Sequence, residues 1–240
     1  MLEHVLNLGN QLKTDLETSE GFTSVDYQKI VIVGMGGSGV AGDVLKLILN
    51  QYTNIDVEVR KTYNLTKTQI AARPFCLFIS YSGNTEETIS AAKNAIDENL
   101  EWAAISSGGE LLDLASKHNK KFVKVPDGLQ PRAAFGLMTK AVVNYLPNQT
   151  KKIFINACEE AGNYLNNLTE DASNEVFEIS KDIANQIGSK TAVIYAGSDL
   201  TYLVAQRWKT QINENSKSKA YVGYMTYVHN NEILSCEANK

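Results

Sequence analysis

The chain has 240 residues, 43% of them apolar and 21% charged, with a formal net charge of -4 at pH 7. That length suits one large domain or two ordinary ones, and the weak acidity gives no reason to expect nucleic acid or an acidic membrane as a partner. No apolar run approaches a membrane span, and MLEHVLNLGNQLKTDLETSE reads as an amphipathic helix with acidic residues rather than a leader, so a cytoplasmic protein is expected. Cys76, Cys158 and Cys236 lie far apart with no CxxC pair, which suggests neither a zinc site nor a disulfide framework.

Strands and helices alternate along the chain. Lys29 to Val33 reads as a strand ending in GMGGSG, and Val40, Val44, Leu47 and Ile48 then recur at helical spacing as far as Asn50. Asn54 to Val59 and Pro74 to Ile79 read as strands, Glu86 to Glu98 as a helix and Trp102 to Ile105 as a strand. The turn SSGG leads to a helix over Glu110 to His118 and a fifth strand over Lys121 to Val125. Regular alternation of this kind implies an α/β fold, a parallel five-stranded sheet flanked by helices, with ligands at the carboxyl ends of its strands.

A helix near Ala133 to Tyr145 is followed by Pro147, Asn148 and Gln149, which mark a boundary. Helices are expected near Ile153 to Leu168, Ala172 to Ile187 and Asp199 to Asn215, with strands at Thr191 to Ala196 and Lys219 to Tyr224. The expected domains are therefore 1–150 and 151–240. Two strands are few for a parallel sheet, so the second domain is either small or incomplete.

Two loops at strand ends carry the chemistry. SYSGNTEET, from Ser80 to Thr88, places four hydroxyls and Gly83 between a strand and a helix, where unpaired N–H groups and the helix dipole suit a phosphate. GMGGSG, from Gly34 to Gly39, matches G-x-G-x-x-G between strand and helix, with Glu58 placed like a ribose-binding acid, so a dinucleotide remains an alternative. Two such loops at neighbouring strand ends fit one phosphorylated sugar better, and Gly36 and Gly37 can also be simple tight turns.

GMGGSG and SYSGNTEET together resemble the sugar isomerase (SIS) fold. With VPDGLQPRAAFG, QRWKTQINENSK, AYVGYMTY and HNNEI, nearly the whole chain resembles the bifunctional phosphoglucose/phosphomannose isomerase family, in which two SIS domains share a chain and the enzyme is a dimer. The resemblance implies a second SIS domain over 151–240 that is truncated relative to the family. It also implies interconversion of glucose 6-phosphate and mannose 6-phosphate with fructose 6-phosphate by a cis-enediolate proton transfer, a place in glycolysis and gluconeogenesis, a hexose 6-phosphate as substrate, a homodimer, and neither cofactor nor metal.

Carried over by position, the resemblance assigns substrate binding to Gly36, Gly37, Ser38, Ser80, Ser82 and Thr85. Glu214 matches the proton-abstracting glutamate; a carboxylate near the negative end of a helix gains basicity, although by spacing alone it is a solvated helix-end residue. It shares a helical face with Arg207, Thr210 and Gln211, away from the apolar series Leu200, Leu203, Val204, Trp208 and Ile212. Arg132 matches the arginine that stabilises the enediolate, the alternative being a surface ion pair.

For ring opening the family reads NHNEI and this chain VHNNEI, so His229 is displaced by one and Asn230 holds its place; either can occupy the position, and His229 can also serve a neighbouring subunit. His4 and His118 read as surface residues. No residue matches the family's late lysine, and Lys240 is not assigned that role. A non-catalytic phosphosugar-binding SIS protein is the alternative from another class; the reading as the SIS half of a glucosamine-forming amidotransferase lacks support, because no cysteine nucleophile follows Met1 in this sequence.

Overall fold

In the computed structural model, which describes residues 2–19, 27–170 and 175–228, the apolar runs Lys29–Gly34, Phe75–Ile79 and Trp102–Ser106 become strands buried on both faces. The chain forms two compact units, Met1–Glu170 and Asp171–Lys240. The first begins with two short helices, α1 (Leu2–Leu6) and α2 (Leu8–Lys13), where one longer helix was expected, and a two-residue strand, β1 (Glu17–Thr18).

The sheet is then built from β2 (Lys29–Gly34), α3 (Gly36–Tyr52), β3 (Asp56–Arg60), α4 (Lys67–Ala71), β4 (Phe75–Ile79), α5 (Glu86–Asp97), β5 (Trp102–Ser106), α6 (Gly109–Lys117) and β6 (Lys121–Lys124). Five strands pair in parallel in the order β6-β5-β4-β2-β3, and β1 joins the β6 edge antiparallel. The short helix α4 and the strand β1 had no sequence signal long enough to find them.

Alternate residues of each strand point to opposite faces, so two separate cores form. Ile30, Ile32, Leu77, Ile79, Ala103 and Ile105 pack with Ala41, Leu45 and Leu49 of α3 and with Leu137 and Met138 of α7 (Phe135–Val142). Val31, Val33, Phe78, Trp102 and Ala104 pack with Ile89, Ala91 and Ala92 of α5 and Leu111 and Ala115 of α6. Cys76 and Cys158 fall in the two cores, and burial pushes the Cys76 thiol up to about 12, far from thiolate chemistry.

Short 3₁₀ turns at Pro131–Ala133 and Val143–Tyr145 bracket α7 and lead into α8 (Asn148–Thr169). The expected boundary at 150 had α8 opening the second domain, but this helix packs on α2 within the first unit. Lys13 Nζ donates to Asn163 Oδ1 at 2.6 Å and Asn166 Nδ2 to Asn10 Oδ1 at 2.8 Å. Helices α2 and α8 approach through Gly9 and Gly162. A Cβ on Gly162 would lie 2.7 Å from the Gly9 carbonyl oxygen and 2.6 Å from Lys13 Cγ.

The second unit comprises α9 (Glu175–Ile187), β7 (Ala192–Ala196), α10 (Asp199–Gln211), a π-helical turn at Ile212–Ser216, β8 (Ala220–Tyr224) and α11 (Met225–Val228). Strands β7 and β8 pair in parallel with α10 as their connection. Ser198 and Thr201 cap α10 reciprocally, and Tyr224 stacks on Tyr202 with ring centroids 4.1 Å apart. Of α10, Ala205 is buried among the described residues, whereas Leu200, Val204 and Trp208 of the apolar series are exposed.

Gly162→Ala is expected to destabilise the first unit by about 1–3 kcal/mol by forcing α8 off α2. The urea midpoint measures it, and an unchanged midpoint would show that the two helices can separate without loss.

Candidate active site

Strand β2 pairs with β3 on one side and β4 on the other, so the chain leaves β2 in one direction and returns past it in the other. The crevice at such a reversal, beyond the carboxyl ends of the strands, is where open α/β sheets bind ligands. Both loops singled out in the sequence open onto it: GMGGSG follows β2 and SYSGNTEET follows β4.

The first loop turns at Gly36, whose φ of +50° is left-handed, and enters α3 with no side-chain cap on its first N–H groups. Ser38 is buried, and its Oγ accepts from the Tyr81 N–H at 3.1 Å, joining the first loop to the second. In the second loop Ser80 is fully buried, with its Oγ 2.8 Å from Thr85 Oγ1 and accepting from the Gly83 N–H at 3.1 Å. Thr85 stands at the N-cap of α5, but with its hydroxyl turned to Ser80 it makes no cap bond, and the first N–H groups of α5 are left without a side-chain acceptor. Ser82 is exposed, accepting from the Asn84 N–H at 3.3 Å.

A third loop locks the second. Gly83 has φ +72°, and a Cβ there would overlap the Gly108 carbonyl, so only glycine fits. The Ser106 and Ser107 hydroxyls donate to the Tyr81 carbonyl at 3.3 and 2.7 Å, and Leu111 N–H donates to the Gly83 carbonyl at 2.9 Å.

Tyr81 is the residue that sequence reasoning passed over. Its phenol donates to the Pro126 carbonyl and accepts from the Leu129 N–H, each at 3.0 Å. Burial pushes this phenol above its usual range, and the charge of Asp127 adds to that against the Leu129 N–H. The segment so anchored leads into the 3₁₀ turn that carries Arg132, which is partly buried. That turn lies against the first loop: a Cβ on Gly37 would sit 3.1 Å from the Pro131 carbonyl oxygen and 4.0 Å from Arg132 Cα. The first unit thus brings Gly36, Gly37, Ser38, Ser80, Ser82, Thr85 and Arg132 to one end of its sheet.

Glu58, the acid of the dinucleotide alternative, is engaged elsewhere: its carboxylate accepts from Gln69 Nε2, and Gln69 also closes the capping box of α4.

Glu214 lies in the second unit. The expected helix to Asn215 is corrected: α10 stops at Gln211 and the wider π turn carries Glu214, closed by Lys217 in the left-handed region at φ +55°. Glu214 is partly buried. Burial lowers the pKa of the Arg207 guanidinium, and the negative charge of Glu214 opposes that fall, so these two side chains sense each other across the helix face. Asn213 Nδ2 donates to the Ser218 carbonyl at 2.9 Å and holds the turn's exit. His229 and Asn230 lie outside the described residues.

Tyr81→Phe is expected to leave the Pro126 carbonyl and the Leu129 N–H without their shared partner, costing about 1–3 kcal/mol. Amide exchange at Leu129 and the urea midpoint report it, and wild-type exchange at Leu129 would show that the phenol does not hold this segment.

Comparison with known proteins agrees with this architecture. Residues 25–125 match the SIS domain model, and residues 178–240 match the model for the bacterial phospho-glucose isomerase C-terminal SIS domain. The chain is 34% identical over 253 residues to the bifunctional phosphoglucose/phosphomannose isomerase of Caldicellulosiruptor bescii, covering all of this chain and 73% of that protein. It is 37% identical over 237 residues to the protein of the same name from Thermoplasma acidophilum, covering 96% of this chain and 70% of that protein. Among solved structures, the C-terminal domain of glucosamine-fructose-6-phosphate aminotransferase from Francisella tularensis superposes with a TM-score of 0.64 at 15% identity, covering 96% of this chain and 71% of that one, a likeness of fold. The first unit carries the SIS fold and a C-terminal SIS domain follows it, and the chain belongs to the bifunctional phosphoglucose/phosphomannose isomerase family.

Proposed function

We propose that the chain is an aldose-ketose isomerase that interconverts glucose 6-phosphate, and mannose 6-phosphate, with fructose 6-phosphate. The observation that carries this reading is the pair of helix N-termini, of α3 and α5, that open side by side at the sheet's reversal with no side-chain caps. Each offers unpaired N–H groups and a partial positive charge, and together with the hydroxyls of Ser38, Ser80, Ser82 and Thr85 they suit a dianionic phosphate. The relatives' names, bifunctional phosphoglucose/phosphomannose isomerase, support this choice of sugar and reaction class.

In the proposed mechanism the phosphate is anchored by these hydroxyls and by the backbone at Gly36 and Gly37. His229 exchanges a proton with the ring oxygen to open the sugar. Glu214 takes the proton from C2 of the aldose and returns it to C1, through a cis-enediolate whose oxygens carry the developing negative charge, while the hydroxyl proton of O2 passes to O1. Arg132 stabilises that charge with its planar guanidinium. The π turn that carries Glu214 supports its role, since such turns re-aim a side chain that a regular helix would place elsewhere. Proton transfer of this kind needs no cofactor. A homodimer belongs to the same proposal.

The alternative, a non-catalytic phosphosugar-binding SIS protein acting as a sensor, requires the two loops but neither Glu214 nor Arg132, and the presence of both favours the enzyme. An assay that follows fructose 6-phosphate conversion to glucose 6-phosphate, repeated with mannose 6-phosphate, separates the two; tight binding without turnover would support the sensor.

Glu214→Gln is expected to lower kcat by about 10²–10⁴, the usual contribution of a general base, with KM little changed. Turnover near the wild-type rate would remove Glu214 from the mechanism. Arg132→Lys is expected to lower kcat more than it raises KM, because it removes an interaction made with the enediolate rather than with the ground-state sugar. A raised KM at unchanged kcat would instead make Arg132 a binding residue.

A further inference from the structure

Arg132 stands on a single 3₁₀ turn, and one turn of three residues has little rigidity of its own. Tyr81 holds the backbone at Leu129 on its amino side. On its carboxyl side the next helix, α7, begins at Phe135 after Ala134, a residue that cannot cap it. The cap comes from the far end of the chain. Gln11 of α2 is 2% exposed, and its side-chain Oε1 accepts from the N–H groups of Gly136 at 3.0 Å and Leu137 at 3.4 Å, the second and third positions of α7. Its Nε2 donates to the carbonyl of Ala133 at 2.9 Å, in the residue that follows Arg132.

This combination of bonds is informative about role. A local serine or aspartate at position 134 would cap α7 equally well, because capping needs only an acceptor. Fixing the Ala133 carbonyl at the same time needs a donor, and a primary amide supplies both from one rigid plane. The local backbone has made room for it: a Cβ on Gly136 would lie 2.6 Å from Gln11 Cβ and 3.0 Å from its Oε1. The approach of α2 to α8 at Gly9 and Gly162 in turn holds the helix that carries Gln11.

We propose that Gln11 is a positioning residue for Arg132, setting the orientation of the turn that presents the guanidinium. The inference rests on the reading of Arg132 as the group that stabilises the enediolate. Gln11 touches no reacting atom; its amide joins α2, the arginine turn and the start of α7 into one piece. A displacement of the turn by as little as 1 Å is enough to cost up to about a hundredfold in rate when the displaced group acts on the transition state.

The test uses Gln11→Glu, which keeps an acceptor for the Gly136 and Leu137 N–H groups and loses the donor to Ala133. Kinetics on fructose 6-phosphate are read at a temperature at which melting curves show each variant folded. Gly136→Ala displaces the same contact from the α7 side, and replaces Gln11→Glu if that variant does not fold.

The expected result is kcat lowered about tenfold with KM within about twofold, the pattern of a lost transition-state interaction. The Gln11→Glu/Arg132→Lys double variant should then be no slower than Arg132→Lys alone, since residues acting through one group are not additive. Wild-type kcat in the folded Gln11 variant, beside a slow Arg132→Lys, would overturn the role of Gln11 and leave that of Arg132 standing. Losses that multiply in the double variant would overturn it too, by showing that Gln11 acts by another route. Wild-type kcat in Arg132→Lys would instead overturn the reading of the arginine itself.

Discussion

Parallel pairing on both sides of β2 is the constraint on which the first unit depends. A parallel neighbour can be reached only through a crossover, and when the chain crosses first to one side and later to the other, no connection covers the point of reversal. The carboxyl ends of β2 and β4 are therefore open by topology, before any side chain is chosen. Everything else at that end of the sheet, from the glycine turns to the buried hydroxyls, serves to furnish an opening that the strand order has already made.

The furnishing follows a consistent economy. Thr85 stands where a helix cap belongs and bonds Ser80 instead. Met35, at the equivalent place before α3, has no polar atom suited to capping. In both helices the first backbone N–H groups have no side-chain cap, at a cost in stability that a local serine or aspartate would have avoided. The loops themselves are not loose, because the Tyr81 backbone is held by Ser38 on one side and by Ser106 and Ser107 on the other. Preorganisation of this kind removes the entropy of ordering from the binding step.

Much of this was legible in the sequence, for definite reasons. Residues 30–33, 75–79 and 102–105 are short, apolar and bounded by turn residues, and a strand buried on both faces leaves that signature. Gly34 to Gly39 and Ser80 to Thr88 were legible because their chemistry is local. Gln11 and Tyr81 were not, because what matters about them is the identity of partners tens to more than a hundred residues away. An N-terminal glutamine on an amphipathic helix looks like a solvated residue until the helix is seen lying on α7 and α8. The π turn at Glu214 was hidden for another reason: its five residues continue the composition of α10, and periodicity over so short a stretch cannot separate 3.6 residues per turn from a wider coil.

The bonds from Gln11 close loops of 122 and 125 residues, and the contact of Gly9 with Gly162 closes a longer one. Loop closure of that span is entropically late, since the ordering of the intervening chain must be met before the contact repays it. A ribosome delivers the amino terminus first, so α2 emerges long before α7 and α8 exist to receive it. The strands of the sheet pair without α2, whereas the turn bearing Arg132 gains its bond from Gln11 only once α2 has docked. A helix made more than a hundred residues before its partners thus completes its contacts only after they have been made.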